Sequence, residues 1–424
     1  MMGENQALAR RLGTGDAVVI GLGSMIGAGI FVVLGPAARV AGTGLLIGLA
    51  VAALVAYCNA TSSARLAARY PTSGGAYLYG RKRLGDFWGY LAGWAFVAGK
   101  TASCAAMALT VGVYLWPAHS HAVAVAAVLA LTALSYTGVQ RSARLTRVIV
   151  AVVVVVLAAV VVTSLRAEPA AVPRIDLTDV TVDGVLQSAG LLFFAFAGYA
   201  RIATLGEEVR APARVIPRAI PLALGIALAV YAVVAVAVLA VLGAPRLANA
   251  VSPLSEAVQA AGANWLVPVV QAAAAVAALG SLLGLLLGVS RTTLAMARDR
   301  HLPHVLAAVH PRFQVPHRAE LLMGVVVAAL AATADLRNTI GFSSFGVLIY
   351  YAVANASALT LRRDEGRPAP LLPILGVLGC GTLAFALPSA SVVSGAAVIG
   401  GGAAVYGLRR ARSAWRRRRA TPTR

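Results

Sequence analysis

Lys100 sits in the middle of an apolar run, twelve residues after Trp88 and sixteen before Trp116. Tryptophans so placed mark the two interfaces of a membrane, and from between them the lysine side chain reaches neither surface. An ammonium held at that depth costs roughly 2.5–3.5 kcal/mol, so it must face a cavity or a partner. Cys104 and Met107 share its helical face at i+4 and i+7. Lys82 is the only other lysine in a chain whose remaining fixed cations are all arginines. Lysine can release a proton when desolvated and arginine cannot, so Lys100 is expected to act as a protonation switch or to touch a bound solute directly. The alternative is a lysine satisfied by backbone carbonyls. A second cation, Arg201, also follows an apolar run; it reads either as a gating charge or as the partner of Glu207, Glu208 or Asp16.

Two glycine-bearing segments could do a different kind of chemistry. Gly21, Gly23, Gly27 and Gly29 fall within nine residues, and Phe193-Phe194-Ala195-Phe196-Ala197-Gly198-Tyr199 precedes Arg201. Glycines in a buried span permit close helix packing, or they let the hydrogen-bond ladder open onto a protein-lined cavity. An opened ladder offers amides at one half-helix and carbonyls at the other, donors for a carboxylate and acceptors for an ammonium. Those are the two ends of an amino acid zwitterion.

The elements that carry these residues are membrane spans. The chain is 59% apolar and 12% charged over 424 residues, with a mean hydropathy of +0.82. Apolar runs predict twelve helices, near 16–40, 44–66, 87–115, 121–137, 148–165, 185–205, 220–242, 265–296, 320–334, 339–361, 371–387 and 391–408. One transmembrane domain over 16–408 follows, between a polar lead at 1–15 and a basic tail at 409–424. The lead has no cleavage site and is not expected to be a removable signal peptide. Arginine concentrates in alternate loops. Arg10 and Arg11 precede the first span, and clusters at Arg65–Arg83, Arg141–Arg147, Arg210–Arg218, Arg298–Arg318 and Arg362–Arg367 follow the even spans. The intervening loops are poor in arginine or acidic, as at Glu168, Asp176, Asp179 and Asp183. Both termini are therefore expected in the cytoplasm of a bacterial inner-membrane protein.

The formal charge of +21 reads as topology signals and contact with anionic lipid, and no nucleic-acid partner is expected. Cys58, Cys104 and Cys380 lie far apart in apolar stretches and predict neither disulfides nor a zinc site. His301, His304, His310 and His317 fall in a proline-rich loop after the eighth span, expected to be a solvated hairpin without a metal. No span combines a histidine with a carboxylate or sets a serine in a nucleophile elbow, so an enzyme is not expected and no cofactor is implied.

Gly-Ser-Met-Ile-Gly-Ala-Gly-Ile-Phe at 23–31, Phe-Phe-Ala-Phe-Ala-Gly-Tyr at 193–199, Pro-Thr-Ser-Gly-Gly-Ala-Tyr at 71–77, and Glu207-Glu208-Val209 with Pro212 and Ile216-Pro217 together resemble the amino acid-polyamine-organocation superfamily of permeases. The resemblance covers nearly the whole chain. It implies an all-α integral membrane fold of LeuT-like type. Two five-helix repeats of opposite topology, about 16–165 and 185–361, would have discontinuous helices 1 and 6, with two further C-terminal helices at about 371–408. It also implies that the Ala28 and Gly29 amides hold a substrate carboxylate and that the carbonyls of Met25, Phe194 and Ala197 receive its amino group, with Gly27 and Gly198 opening the backbone. Phe194 would close over the substrate, and Ser281 and Leu285 would line the side-chain pocket together with the Lys100, Cys104 and Met107 face. Leu285 stands where arginine-exchanging members carry a tryptophan, which removes a cation-π surface.

The sequence also departs from the family. Proton-coupled relatives carry a lysine in the fifth span, whereas Val148–Val156 contains no ionisable residue. Either Lys100 takes over coupling, or the protein is an uncoupled exchanger or facilitator; sodium coupling has the least support. Two cations near one pocket favour neutral or acidic amino acids over basic ones. A polyamine or organic amine carrier and a non-transporting amino acid sensor are the alternatives, and monomer and homodimer are both open.

Overall fold

The computed structural model describes residues 12–71, 74–138, 143–167, 180–203 and 209–420. Arg10, Arg11, Thr72, Ser73, Arg141, Glu168, Asp176, Asp179, Glu207 and Glu208 lie outside the described residues, so the acidic partners considered for Arg201 in the loop after the sixth span do too.

The first expected span is three helices, α1 (Thr14–Met25), α2 (Ala28–Val32) and α3 (Leu34–Ala41). Then come α4 (Leu45–Arg69), α5 (Gly75–Arg83), α6 (Asp86–Leu115), α7 (Ser120–Tyr136) and α8 (Ala143–Arg166). The second half comprises α9 (Val182–Phe196), α10 (Ala200–Ala203), α11 (Pro212–Asn249), α12 (Pro253–Ala260), α13 (Val267–Arg298), α14 (His317–Thr333), α15 (Leu336–Leu359), α16 (Leu371–Ala386) and α17 (Ser389–Ala420). Among the described residues, ten helical stretches are long and apolar enough to cross a membrane. Two shorter helices, α14 and α16, stand where the ninth and eleventh spans are expected; at 17 and 16 residues each is about 25 Å long. The only bridge of β type described joins Leu12 to Val209 and ties the N-terminal lead to the segment after α10.

Local chemistry explains several boundaries. Thr181 caps α9 by accepting from the Gly184 amide at 3.1 Å, and Asp335 caps α15 by accepting from Arg337 and Asn338 at 2.9 and 3.1 Å. α11 opens with Pro212 at its first position, where the missing N–H is no loss. It therefore starts eight residues before the expected span, and the Ile216-Pro217 pair read as loop is helical. Its apolar run ends at Leu242 because Gly243, at φ 69°, interrupts the ladder. α5 and α12 are short helices where loop was expected.

α6 is the centre of one group of helices, packing against α13, α15, α7 and α14. Backbones approach closely there. A Cβ on Gly346 would lie 2.9 Å from the Gly99 Cα, and the Ser103 and Ser343 hydroxyls meet at 2.5 Å. A second group joins α1, α3, α4, α9 and α11. Trp88 and Trp116 are exposed at opposite ends of α6, as expected of interfacial anchors.

His301 departs from expectation. The loop around it is not a solvated hairpin at that point, because His301 is buried among Tyr77, Tyr90 and Tyr406. Its ring nitrogens lie 2.9 Å from the Tyr77 hydroxyl and 3.1 Å from the Asp86 carboxylate, with their roles set by the tautomer. Aromatic surface donated by α5, α6 and α17 draws the loop inward; proline and histidine content alone could not show that.

Candidate functional site at the helix breaks

α1 stops at Met25 because Ile26 (ψ 44°) and Gly27 (ψ −138°) leave the helical region, and the chain resumes as α2 at Ala28. α9 ends at Phe196, tightens into a 3-10 turn over Ala197–Tyr199 and continues as α10. The two interruptions face each other. A Cβ on Gly198 would lie 2.2 Å from the Ser24 carbonyl oxygen and 2.7 Å from the Met25 nitrogen. A Cβ on Gly29 would lie 2.8 Å from the Ala195 Cα. Both glycines are thus required by close approach of two backbones.

Side chains from three other helices reach the breaks. Tyr231 on α11 donates to the Met25 carbonyl at 2.5 Å and to the Ala195 carbonyl at 3.0 Å, one proton shared between the two interrupted elements. Ser281 on α13 donates to the Gly23 carbonyl at 3.4 Å, and its oxygen is the atom a Cβ on Gly27 would strike, at 2.1 Å. Lys100 on α6 is 5% exposed and donates to the Ala197 carbonyl at 3.2 Å. Tyr114, farther along α6, donates to the Phe31 carbonyl at 2.6 Å and fixes α2 from the other end.

The structure thus gathers Met25, Gly27, Ala28, Gly29, Ala197, Gly198, Ser281 and Lys100 at one place. Phe194 is buried on the last turn of α9, and Cys104 and Met107 are buried on α6 above Lys100. Leu285, half-buried, packs one turn beyond Ser281 on α13. Arg201 is half-buried two residues past the turn. Asp16, considered as its partner, forms an ion pair with Arg147 of α8.

Tyr231 and Tyr114 were not singled out from sequence. The available signal was a hydroxyl in an apolar run, which must find an acceptor when buried. Among the described residues, no three histidine, cysteine, aspartate or glutamate side chains converge to hold a metal. Peptide groups and one ammonium therefore dominate the polar chemistry of the breaks, an arrangement suited to gripping a small polar solute.

Comparison with known proteins gives the family. The family model described as amino acid permease matches residues 12–404. A transporter of Mycobacterium tuberculosis is 74% identical over 404 residues, covering 95% of this chain and 92% of the relative. The branched-chain amino acid permease BcaP of Bacillus subtilis is 28% identical, with 93% of this chain and 87% of the relative covered. Human cationic amino acid transporter 4 is 30% identical over 85% of this chain and 61% of its own length. These relatives are transporters rather than enzymes, and with its apolar helices the chain is a multi-pass membrane protein. It belongs to the amino acid permease family of the amino acid-polyamine-organocation superfamily.

Proposed function

We propose that this permease moves a neutral or acidic amino acid across the bacterial cytoplasmic membrane by alternating access, with both termini in the cytoplasm. The observation that carries the proposal is the facing pair of interrupted helices, α1–α2 and α9–α10, where Gly198 meets Ser24 and Met25. In this reading the amides at the start of α2, Ala28 and Gly29, take the carboxylate. The carbonyls of Met25, Phe194 and Ala197 take the amino group, and Phe194 closes over the solute. Ser281, Leu285, Cys104 and Met107 surround the side chain.

Twelve spans in two inverted five-helix repeats plus α16 and α17 account for the arrangement, because the broken helices are then the first of each repeat. The bundle of α1–α4 and α9–α11 rocks against the group around α6. Arg201 acts at the inner gate.

Lys100 favours neutral or acidic side chains. Until a solute binds, it is a cation that an arriving basic side chain must approach, and no described carboxylate forms an ion pair with it. BcaP is named for branched-chain amino acids, which fits a pocket with Leu285.

Uptake of labelled L-leucine, L-glutamate and L-arginine into proteoliposomes tests the proposal. Saturable uptake or exchange of leucine or glutamate well above arginine is expected. Binding without translocation would favour a sensor, and preferential arginine uptake would overturn the specificity.

A further inference from the structure

The Ala197 carbonyl has two claimants. In the reading above it receives the substrate's amino group, while in this structure it accepts from the Lys100 ammonium at 3.2 Å. We infer that Lys100 is a tethered stand-in for the substrate's ammonium, that the two exclude each other, and that the permease therefore exchanges a proton against its amino acid. This inference rests on the reading of the breaks as the amino acid site.

Ala197 is the carbonyl to which Lys100 donates, whereas other carbonyls at the breaks already accept from different side chains. The Met25 and Ala195 carbonyls are engaged by Tyr231, and the Gly23 carbonyl by Ser281. Among the described residues no carboxylate lies within 4.0 Å of the Lys100 nitrogen. The titratable or charged side chains on the surrounding elements include Asp86, Tyr90, Cys104 and Tyr114 on α6, Asp183 on α9, Tyr199 and Arg201 at the turn and α10, Tyr231 on α11, Arg291 and Arg298 on α13, His317, Arg318 and Glu320 on α14, and Arg337, Tyr350 and Tyr351 on α15. The stretch Ala17–Met25 of α1, all of α2 and α8 between Arg147 and Arg166 bring none. Lys100 thus holds its place by a peptide dipole and not by an ion pair. A second ammonium arriving at the same oxygen meets a like charge at contact distance, with little water between to screen it.

The resulting step is a competition. The substrate's ammonium takes the Ala197 carbonyl, and the Lys100 ammonium releases one proton to water on the side to which the site is then open. Release of the substrate on the opposite side lets Lys100 take a proton there and return to Ala197. One proton thus crosses against each amino acid. Co-transport would need the reverse coupling, with protonation assisting binding, and a shared acceptor works against that.

Purified full-length protein and two variants decide it, with L-leucine and L-glutamate as probes. Titration calorimetry in buffers of different ionisation enthalpy counts protons, and the apparent Kd is followed from pH 5.5 to 9. Wild type is expected to release about one proton per amino acid bound. Its apparent Kd should rise by up to tenfold per pH unit on the acid side of the lysine's titration. Lys100→Met should bind with no proton release and a flat pH profile. Lys100→Arg, which cannot release a proton, should bind weakly at every pH, and its fold is checked by an unchanged elution profile. Proton uptake or no proton exchange by wild type would overturn the competition while leaving the site intact. Failure of wild type to bind any of the twenty amino acids would overturn the site reading and the competition with it.

Discussion

The Tyr231 hydroxyl stands 2.5 Å from the Met25 carbonyl and 3.0 Å from that of Ala195, so one side chain on α11 holds the end of α1 and the last turn of α9 together. Both carbonyls lie where helical pairing is failing. Tyr231→Phe keeps the ring, which packs against Phe196 with centroids 5.2 Å apart, and removes only the proton. Leaving a buried carbonyl short of its donor costs about 1–3 kcal/mol. Thermal unfolding in detergent should move down by a few degrees, and amino acid affinity should weaken by roughly tenfold or more because the breaks are no longer held in register. An unchanged affinity would mean that Tyr231 only packs.

Gly198→Ala tests whether the breaks must touch. The added methyl would fall on backbone atoms of Ser24 and Met25, which cannot swing aside as a side-chain tip can. Overpacking of this kind costs typically about 1–3 kcal/mol. Uptake should fall to near background while the protein still reaches the membrane. Gly225→Ala on α11 is the control, since its Cβ would meet nothing within 4 Å. It should leave uptake and unfolding temperature within error of wild type.

Much of this arrangement was legible in the sequence. Apolar length gave the long helices, and glycines paired with polar groups in mid-span marked both breaks, because lipid leaves no other use for an opened ladder than a protein-lined cavity. Lys100 announced a cavity or an acceptor for the same reason. The particular acceptor, Ala197, was out of reach: it depends on the tilt of α6 against α9, and residue spacing within one helix carries no such information. Tyr231 was missed because a tyrosine in an apolar run also reads as packing. The start of α11 was misplaced because proline was weighed as a breaker, whereas at a first helical position it is a starter. His301 was misread since its burial depends on Tyr90 and Tyr406, 211 and 105 residues away in sequence.

His301 anchors a junction of three elements on the side of the molecule bearing the arginine-rich loops. Tyr77 donates to Asp299 at 2.5 Å, Tyr406 donates to Asp86 at 3.0 Å, and Arg409 donates to the His301 carbonyl at 2.8 Å. Burial and the adjacent Asp299 carboxylate hold the Tyr77 phenol above its ordinary range, so it remains a donor throughout the stable pH range. Tyr77→Phe should cost about 1–2 kcal/mol. It should increase proteolysis at the arginine-rich end of α17 and leave amino acid affinity unchanged, since the junction's Tyr90 lies ten residues, about 15 Å, along α6 from Lys100. A matching loss of affinity would place the junction on the transport path.

Glu365 ties the ends of α4 and α5 to the turn after α15. One carboxylate oxygen accepts from Arg83 at 2.7 Å and from Arg69 at 3.1 Å; the other accepts from the Arg362 amide at 3.0 Å. The Arg83 hydrogen bond first, then the Arg362 amide and Arg69, hold its pKa down at about 2 against an ordinary 4.5. A carboxylate depressed in the folded state stabilises it fully above the unfolded value and loses that contribution as pH falls from about 4.5 through about 2. Glu365→Gln should therefore lower the unfolding temperature at pH 7, by no more than a few degrees because the pairs are partly solvated. The gap between variant and wild type should narrow steadily between pH 4.5 and the acid limit of folding. A gap that persists undiminished at pH 3 would show that the glutamine disturbs packing of the turn and not its charge.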